Sequence, residues 1–167
     1  MLFKYINSDS IEVRESDIQG KGIFAIKRIP KGKRIIEYIG ERITPEEETE
    51  RYDDESMARH HTFLFAVDDK VTIDAGRIGN DAKYINHSCE PNCEAVDEEG
   101  RIFVEAIKTI QPGAELYYDY AFEQEPPLTQ ELIDLYPCYC GTKKCRGTIL
   151  KVTQKSKPKK KTTTKRK

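Results

Sequence analysis

The C-terminal part of the sequence holds cysteines whose spacing is typical of a metal site. Cys138, Cys140 and Cys145 follow the pattern C-x-C-x4-C. Thiolates this close can converge on one zinc ion, because a tetrahedral site needs sulfur ligands about 2.3 Å from the metal. A structural zinc takes four ligands, and the sequence offers both Cys89 and Cys93 as the fourth. Single buried thiols are common, but this spacing favours zinc.

A second group of reactive side chains lies in residues 84–93, YINHSCEPNC. Asn86, His87 and Ser88 stand in a row where the sequence shows neither strand nor helix periodicity, and irregular backbone of this kind suits a small polar ligand. A lone histidine is more often a hydrogen-bonded structural residue than a catalyst. His87 by itself therefore indicates no particular reaction.

Three tyrosines occur together in ELYYDY, residues 115–120. If this segment is a strand, Tyr118 and Tyr120 point to the same face, because side chains alternate along a strand. For any one of these tyrosines, packing in an aromatic core is the simpler interpretation.

Charge divides the 167 residues into an acidic body and a basic tail. Residues 151–167 contain nine of the 28 basic residues and none of the 29 acidic ones, so the body is near −10 and the tail is +9. We expect the tail to be disordered, because like charges repel and few apolar groups favour order. Such tails contact polyanions, so we expect this one to contact DNA. The acidic body suits a cationic partner, such as a lysine-rich peptide.

Length and composition indicate one domain that buries its own core. The sequence has no apolar run of about 20 residues and no secretory signal, so we expect an intracellular protein with no membrane contact. Five cysteines in a reducing compartment argue against disulfides and for metal binding. The absence of a Rossmann glycine signature and of a P-loop argues against the common nucleotide-binding folds.

The elements that must position these groups are mostly short strands between glycine turns. One helix begins after Thr44, where Thr44-Pro45-Glu46-Glu47 forms a capping box, and extends to about Met57. A second, short helix covers residues 128–136. Strands are predicted at 11–16, 22–26, 33–43, 62–67, 71–75, 101–110 and 114–120, with 80–92 irregular. The fold class is mainly β, a β-rich α+β domain of several small sheets.

Taken in order, the motifs resemble the SET domain followed by its post-SET segment. They are GKGIFA, EYIGE, YINHSCEPNC, GAELYYDY and CYCGTKKCRG, and the resemblance covers about residues 11–150. It implies a SET domain over 1–122, a post-SET zinc-binding segment over 123–150 and a basic tail over 151–167. It also implies a C-terminal pseudoknot formed by the NHSC and YDY segments.

The resemblance also assigns roles to individual residues. Gln19, Gly20, Lys21, Asn86, His87, Tyr120 and Tyr139 match positions that bind S-adenosylmethionine, and Phe63 stands near the cofactor where many relatives have tyrosine. Tyr120 matches the tyrosine at the methyl-transfer point, and Tyr38 and Tyr118 match walls of the lysine channel. Cys89, Cys138, Cys140 and Cys145 match the zinc ligands, which leaves Cys93 free.

The implied function is S-adenosylmethionine-dependent methylation of lysine on a basic, histone-like protein, in the nucleus on chromatin or in a bacterial nucleoid. The tyrosine at position 118 favours mono- or dimethylation, because its hydroxyl can hold a water that occupies space beside the amine. One alternative is a non-catalytic module that binds lysine tails. Another is an accessory protein that associates with nucleic acid through residues 151–167.

Overall fold

The computed structural model describes residues 9–52, 63–124 and 127–151. Its ten strands are β1 (Ile11–Glu15), β2 (Lys21–Ala25), β3 (Arg34–Tyr38), β4 (Gly40–Ile43), β5 (Leu64–Ala66), β6 (Thr72–Gly79), β7 (Asn86–His87), β8 (Cys93–Glu98), β9 (Arg101–Ala106) and β10 (Tyr117–Tyr118). They form four small sheets in the orders β1-β2, β3-β9-β8, β4-β6-β5 and β10-β7. The mainly β fold class predicted from the sequence is confirmed.

The core lies where these sheets meet, and it is built mostly from aliphatic side chains of the strands. Ile23, Ile35, Ile36 and Leu116 have no exposed surface, and Tyr38 is buried among the same cluster. Burial of such side chains is the main stabilising contribution to a domain of this size. The small sheets therefore share one core rather than each having its own.

The helices are short and lie outside this core. Helix α1 (Pro45–Arg51) begins with the capping box predicted at Thr44, whose hydroxyl accepts from the Glu47 N–H. It ends at Arg51, earlier than predicted, and residues 53–57 of the prediction lie outside the described residues. Helix α2 (Gln130–Leu135) is capped by Thr129, in agreement with the prediction for 128–136. No helix within the described residues is both long and apolar enough to cross a membrane.

Several strand predictions need correction. The single strand predicted at 33–43 is two strands, β3 and β4, in different sheets. The break occurs at Ile39, directly before Gly40. A Cβ on Gly40 would lie 2.5 Å from the Asp74 carbonyl oxygen, so only glycine fits at this start of β4. Strand β8 was not predicted, because its acidic sequence CEAVDE has little strand propensity. Its pairing with β9 along its whole length outweighs that propensity.

Other boundaries also differ from the sequence prediction. Strand β6 continues to Gly79, beyond the predicted end at 75, and β9 ends at Ala106 rather than at 110. The strand predicted at 114–120 is reduced to β10, Tyr117–Tyr118. The residues beside β10 do not continue the strand, because this segment pairs with two different partners. Glu115 forms a bridge with Phe24, and β10 pairs with β7.

The pairing of β7 with β10 brings together the two segments expected to form the pseudoknot. The strands are parallel, with Asn86 opposite Tyr117 and His87 opposite Tyr118. Residues distant in sequence thus become direct neighbours, and the NHSC and YDY motifs form one wall of a cavity.

Candidate active site and metal centre

A cavity of about 1020 Å³ lies between the sheets and the C-terminal segment. Its walls include the turn at 18–21, the aromatic residues of β3, β5 and β10, strand β7, and residues from 121 to 149. It is lined by all the cofactor and substrate residues predicted from the sequence: Gln19, Gly20, Lys21, Tyr38, Phe63, Asn86, His87, Tyr118, Tyr120 and Tyr139. A cavity of this size can hold a nucleoside-sized ligand together with a side chain.

Aromatic rings form a continuous row along one wall of the cavity. Tyr38 packs on Phe65 with 5.4 Å between ring centroids, Phe65 lies 6.3 Å from Tyr118, and Tyr118 lies 4.9 Å from Tyr120. As predicted, Tyr118 and Tyr120 therefore lie on the same side. Phe65 was not predicted as a site residue, although the alternation of residues 62–67 places it on the same strand face as Phe63.

Tyr120 is held at both its backbone and its hydroxyl. Its N–H donates to His87 Nδ1 at 3.0 Å, and its hydroxyl donates to the Ile85 carbonyl oxygen at 2.7 Å. Because the hydroxyl proton is engaged there, the oxygen keeps its lone pairs for another donor. Burial raises the pKa of Tyr120 above its usual value, so the hydroxyl is neutral at physiological pH.

The turn at 18–21 presents backbone to the cavity. Gly20 has a φ of +48°, a region that favours glycine, and a Cβ there would meet no atom within 4 Å. Its carbonyl accepts from the Ser16 N–H at 2.8 Å, which closes the turn. The turn therefore leaves open space beside its backbone, as a bound ligand requires.

A buried polar network joins this turn to β7 and to the segment before β10. The Asn86 amide donates to the Lys21 carbonyl oxygen at 3.0 Å, to Ser16 Oγ at 3.1 Å and to Glu115 Oε1 at 2.9 Å. The Ser16 hydroxyl donates to the same Glu115 carboxylate at 2.8 Å. Sequence reasoning missed Ser16 and Glu115, since nothing in their local sequence indicates that residues 16, 86 and 115 meet.

His87 is buried between Tyr120 and the cysteines. Its Nε2 lies 3.4 Å from Cys89 Sγ, and its ring packs edge-on against Tyr120. Burial is the main cause that lowers the pKa of His87 to about 4; the nearby Asp119 carboxylate opposes this shift, and the Arg146 guanidinium acts in the same direction as burial. At Nδ1 the neutral ring accepts the hydrogen bond from the Tyr120 N–H. This bond joins β7 to the segment that carries Tyr118 and Tyr120, so His87 has a structural role.

Phe63 lies at another part of the lining, with its ring edge-on to Tyr84 at 5.8 Å. The Lys83 ammonium lies over the Phe63 ring at 5.2 Å, and the Lys21 ammonium lies over Tyr84 at 5.3 Å. Cation–π contacts of this kind hold both lysines against the aromatic wall. Tyr84 was not among the predicted site residues.

Four cysteines converge beside the cavity. The Sγ atoms of Cys89, Cys138, Cys140 and Cys145 all lie within 4.8 Å of one another. The sulfurs of Cys89 and Cys138 are 3.7 Å apart, close to the roughly 3.8 Å expected between sulfurs in a tetrahedron with Zn–S bonds of about 2.3 Å. Cys93 is fully buried in the hydrophobic core. The donor set fits zinc, and the fold selects Cys89 rather than Cys93 as the fourth ligand.

Arg146 connects this cluster to the segment that carries Tyr118 and Tyr120. The Arg146 backbone N–H donates to Cys89 Sγ at 3.4 Å, and the guanidinium donates two hydrogen bonds of 2.7 Å to the Asp119 carboxylate. This bidentate pair holds the pKa of Asp119 below its usual value although burial acts in the other direction. Arg146 was not predicted, because its partner lies 27 residues earlier in the chain.

Beyond Tyr120 the chain turns sharply. Ala121 has a φ of +45°, a strained conformation for a residue with a Cβ, and its N–H donates to Asp119 Oδ1 at 2.9 Å. The turn sends Phe122 onto Tyr136, with stacked rings 5.3 Å apart. Tyr139, between two of the cysteines, lines the cavity but is 64% exposed.

Comparison with known proteins agrees with this geometry. The sequence model of the SET-domain family matches residues 20–121. The chain belongs to the SET-domain family. The matched region contains the whole aromatic row, the turn glycine and the β7–β10 pair, whereas three of the four clustered cysteines lie after it.

Several relatives of this SET-domain chain are named histone-lysine N-methyltransferases. It is 42% identical over 144 residues to the "trithorax" protein of that name from Drosophila virilis, and 39% identical over 146 residues to an "H3 lysine-4 specific" one from Chaetomium globosum. A third, "ash1" from Drosophila melanogaster, is 36% identical over 144 residues. The alignments cover 83–84% of this chain but only 4–13% of the relatives.

Proposed function

We propose that this SET-domain protein transfers a methyl group from S-adenosylmethionine to the side-chain amine of a lysine on a basic, histone-like protein. The observation that carries the proposal is the row of aromatic rings ending at Tyr120, inside a cavity that also contains the turn at 18–21 and the pair Asn86–His87. The names of the relatives support the same reaction.

Residues at one part of the cavity would hold the methyl donor. The open backbone of Gln19-Gly20-Lys21 and the polar pair Asn86–His87 suit its amino-acid and adenosine groups, with Phe63 and Tyr139 as apolar cover. When bound, this cofactor supplies an electrophilic methyl group on a sulfonium. Phe63 lacks the hydroxyl that a tyrosine would offer, so its contribution is apolar contact alone.

The aromatic row orients the substrate amine. The rings of Tyr38, Phe65 and Tyr118 enclose the aliphatic stem of a lysine and tolerate a positive head through cation–π attraction. The Tyr120 oxygen, with its proton donated to Ile85, accepts an N–H from the amine and fixes the direction of its lone pair. Since burial raises the pKa of these tyrosines, none serves as a base at neutral pH, and the lysine proton leaves to water.

Tyr118 would limit the number of methyl groups. The described residues supply no hydrogen-bond partner for its hydroxyl, which lines the cavity and can therefore hold a water molecule. A methylated amine must displace that water to present its lone pair again, and losing a well-ordered water without replacing its bonds is unfavourable. We infer that the main products are mono- and dimethyl-lysine.

Zinc held by Cys89, Cys138, Cys140 and Cys145 would fix the C-terminal segment against the cavity. On this basis we divide the chain into a SET domain over 1–122, a post-SET segment over 123–150 and a basic tail over 151–167. A histone-like substrate places the protein on nuclear chromatin or on a bacterial nucleoid.

The tail would add contact with DNA. Its nine basic residues can neutralise phosphates and release counterions, so affinity should fall steeply with salt. Replacing the tail lysines by glutamine should weaken binding to duplex DNA at low salt without preventing transfer to a saturating peptide. Equal DNA affinity of the two proteins would remove this part of the proposal.

The whole proposal is tested by transfer from isotopically labelled S-adenosylmethionine to a panel of histones and other basic proteins, followed by mass-spectrometric mapping of the modified residues. We expect label on lysine side chains of a basic tail. A protein that binds such tails without labelling them would be a lysine-binding module instead. One that binds only nucleic acid would be an accessory protein.

A further inference from the structure

A buried carboxylate lies directly behind the part of the cavity wall that Asn86 forms. Glu115 is 8% exposed, and its Oε1 accepts from Asn86 Nδ2 at 2.9 Å. On another side it packs against Gly22, where a Cβ would overlap the carboxylate. Asn86 lines the cavity, whereas Glu115 and Gly22 do not. The acid therefore acts on the cavity through the residues in front of it.

Both oxygens of Glu115 accept hydrogen bonds from neutral groups. The Ser16 hydroxyl lies 2.8 Å from Oε1 and 3.0 Å from Oε2, and the Tyr117 hydroxyl donates to Oε2 at 3.1 Å. An ionised carboxylate accepts at both oxygens in this way. The Asn86 amide adds a further neutral donor. These hydrogen bonds stabilise a buried charge, but they do not cancel it.

The absence of a cationic partner distinguishes Glu115 from the other buried carboxylates of the described residues. Asp74 pairs with the Arg51 guanidinium at 3.0 Å, and Glu37 pairs with that of Arg101 at 2.6 Å. No ion pair within the described part of the chain includes Glu115. Because its charge is not neutralised by a neighbour, it can attract a cation in the adjoining cavity.

The charge of Glu115 also acts at the candidate reaction centre. Glu115 contacts the side chain of Asn86, and the preceding residue, Ile85, accepts the Tyr120 hydroxyl at 2.7 Å. The carboxylate and the hydroxyl are thus attached to adjacent residues of one short segment. Burial raises the pKa of Tyr120, and the negative charge of Glu115 raises it further. An electrostatic field that opposes an anion at this point favours a cation there.

We propose that Glu115 determines which form of the cofactor the cavity prefers, because its buried charge favours positively charged sulfur over uncharged sulfur. The inference rests on the methyltransferase activity proposed above. In that reaction the lysine nitrogen bonds the methyl carbon, and the C–S bond breaks with its electron pair left on sulfur. The extra proton on nitrogen goes to water. Sulfur loses its charge in this step, so Glu115 favours binding of the methyl donor and release of the product.

The test compares two ligands that differ only at sulfur. Dissociation constants of S-adenosylmethionine and S-adenosylhomocysteine are measured by calorimetry on the full-length protein, with circular dichroism and zinc content as folding checks. Glu115→Gln removes the charge and keeps the size of the side chain. Its ratio of the two constants should shift against S-adenosylmethionine by at least about threefold, because removing a nearby charge affects a cationic ligand most.

Two variants that keep the charge are the controls. Glu115→Asp retains the carboxylate, and Tyr117→Phe removes only one of its donors. Both should keep the ratio of the two constants within about twofold of the native value, even where the affinity for both ligands falls.

The outcomes separate a charge effect from a purely structural one. Equal weakening of both ligands in Glu115→Gln would overturn the inference, because a residue that only supports the fold does not distinguish them. Loss of the native ratio in a folded Glu115→Asp would also overturn it, and this variant decides the question if the glutamine variant does not fold. Binding of neither ligand to the native protein would contradict the proposed reaction together with the inference. Continued methyl transfer by the native protein with an unchanged ratio in Glu115→Gln would contradict the inference alone.

Discussion

The sheets and the C-terminal segment form opposite walls of the same cavity, and they are stabilised in different ways. The strand side rests on a shared core in which Ile23, Ile35 and Leu116 have no exposed surface. Of the described residues from 127 onward, only Thr148 and Leu150 are buried, and α2 contributes none. The C-terminal wall is held instead by the cysteine cluster, the Arg146–Asp119 pair and a few backbone bridges.

This difference indicates that the two regions have different roles. The strand side contains every residue assigned to orienting the lysine amine, on a scaffold that apolar burial keeps rigid. The C-terminal segment would cover the cofactor, and its attachment depends on a metal and on a few polar contacts. Changes on the strand side should therefore alter the chemistry, whereas changes in the C-terminal segment should alter closure of the site.

The largest effect is expected at Tyr120. Tyr120→Phe keeps the ring in the row but removes the oxygen that would orient the amine, so kcat should fall at least about 10²-fold. Tyr117→Phe is the matched control, because the Tyr117 hydroxyl donates to Glu115 and Tyr117 lies outside the cavity lining. The kcat of this control should stay close to that of the native protein. Steady-state rates with circular dichroism as a folding check decide this, and equal rates for the two variants would exclude Tyr120 from the reaction.

A smaller effect is expected where the two regions are joined. Arg146→Gln loses the paired hydrogen bonds to Asp119, and we expect a reduction of kcat/KM of about tenfold, since bonds between charged groups that are partly exposed are worth little more than 1 kcal/mol. The loss should fall mainly on KM for the cofactor, while zinc content remains one per chain. Lys144→Gln removes an exposed charge in the same segment and is the control. A loss confined to kcat would show that Arg146 acts on the chemistry instead.

The smallest effect on rate, but a change of product, is expected at Tyr118. Tyr118→Phe removes the hydroxyl proposed to hold a water molecule, so the output should shift toward trimethyl-lysine with little change in the first methylation. Mass spectra of a single-lysine peptide over a full time course measure this directly. Predominant trimethylation by the native protein would show that another part of the cavity, such as the surroundings of Tyr38 or Phe63, sets the product.

What the sequence could predict was mostly local. The hairpin of β1 and β2 and the capping box at Thr44 followed from glycine turns and from residues three positions apart. The cysteine spacing indicated zinc but left Cys89 and Cys93 open as the fourth ligand. The family resemblance chose Cys89, and the structure agrees, because Cys93 is buried in the core at the start of β8. The family resemblance placed the tyrosines and Asn86 at one cavity.

The supporting contacts of the site could not be predicted in this way. Glu115, Ser16 and Arg146 act through partners 27 or more residues away, and no local pattern indicates such meetings. The sequence placed Phe65 in a strand but not in the aromatic row. Alternation along a strand predicts which face a side chain occupies, but not which residues pack against it. These contacts join segments that are distant in sequence and that only the folded chain brings together.

Zinc is expected to close the site without supporting the strand core. The most direct test removes zinc from the full-length protein with a chelator, then measures circular dichroism and labelled methyl transfer to a histone tail peptide in the same sample, before and after one equivalent of Zn²⁺. We expect one zinc per chain, loss of transfer on its removal, a nearly unchanged strand spectrum, and recovery of transfer with the added ion. Full transfer by zinc-free protein, or loss of the strand spectrum together with the metal, would contradict this account.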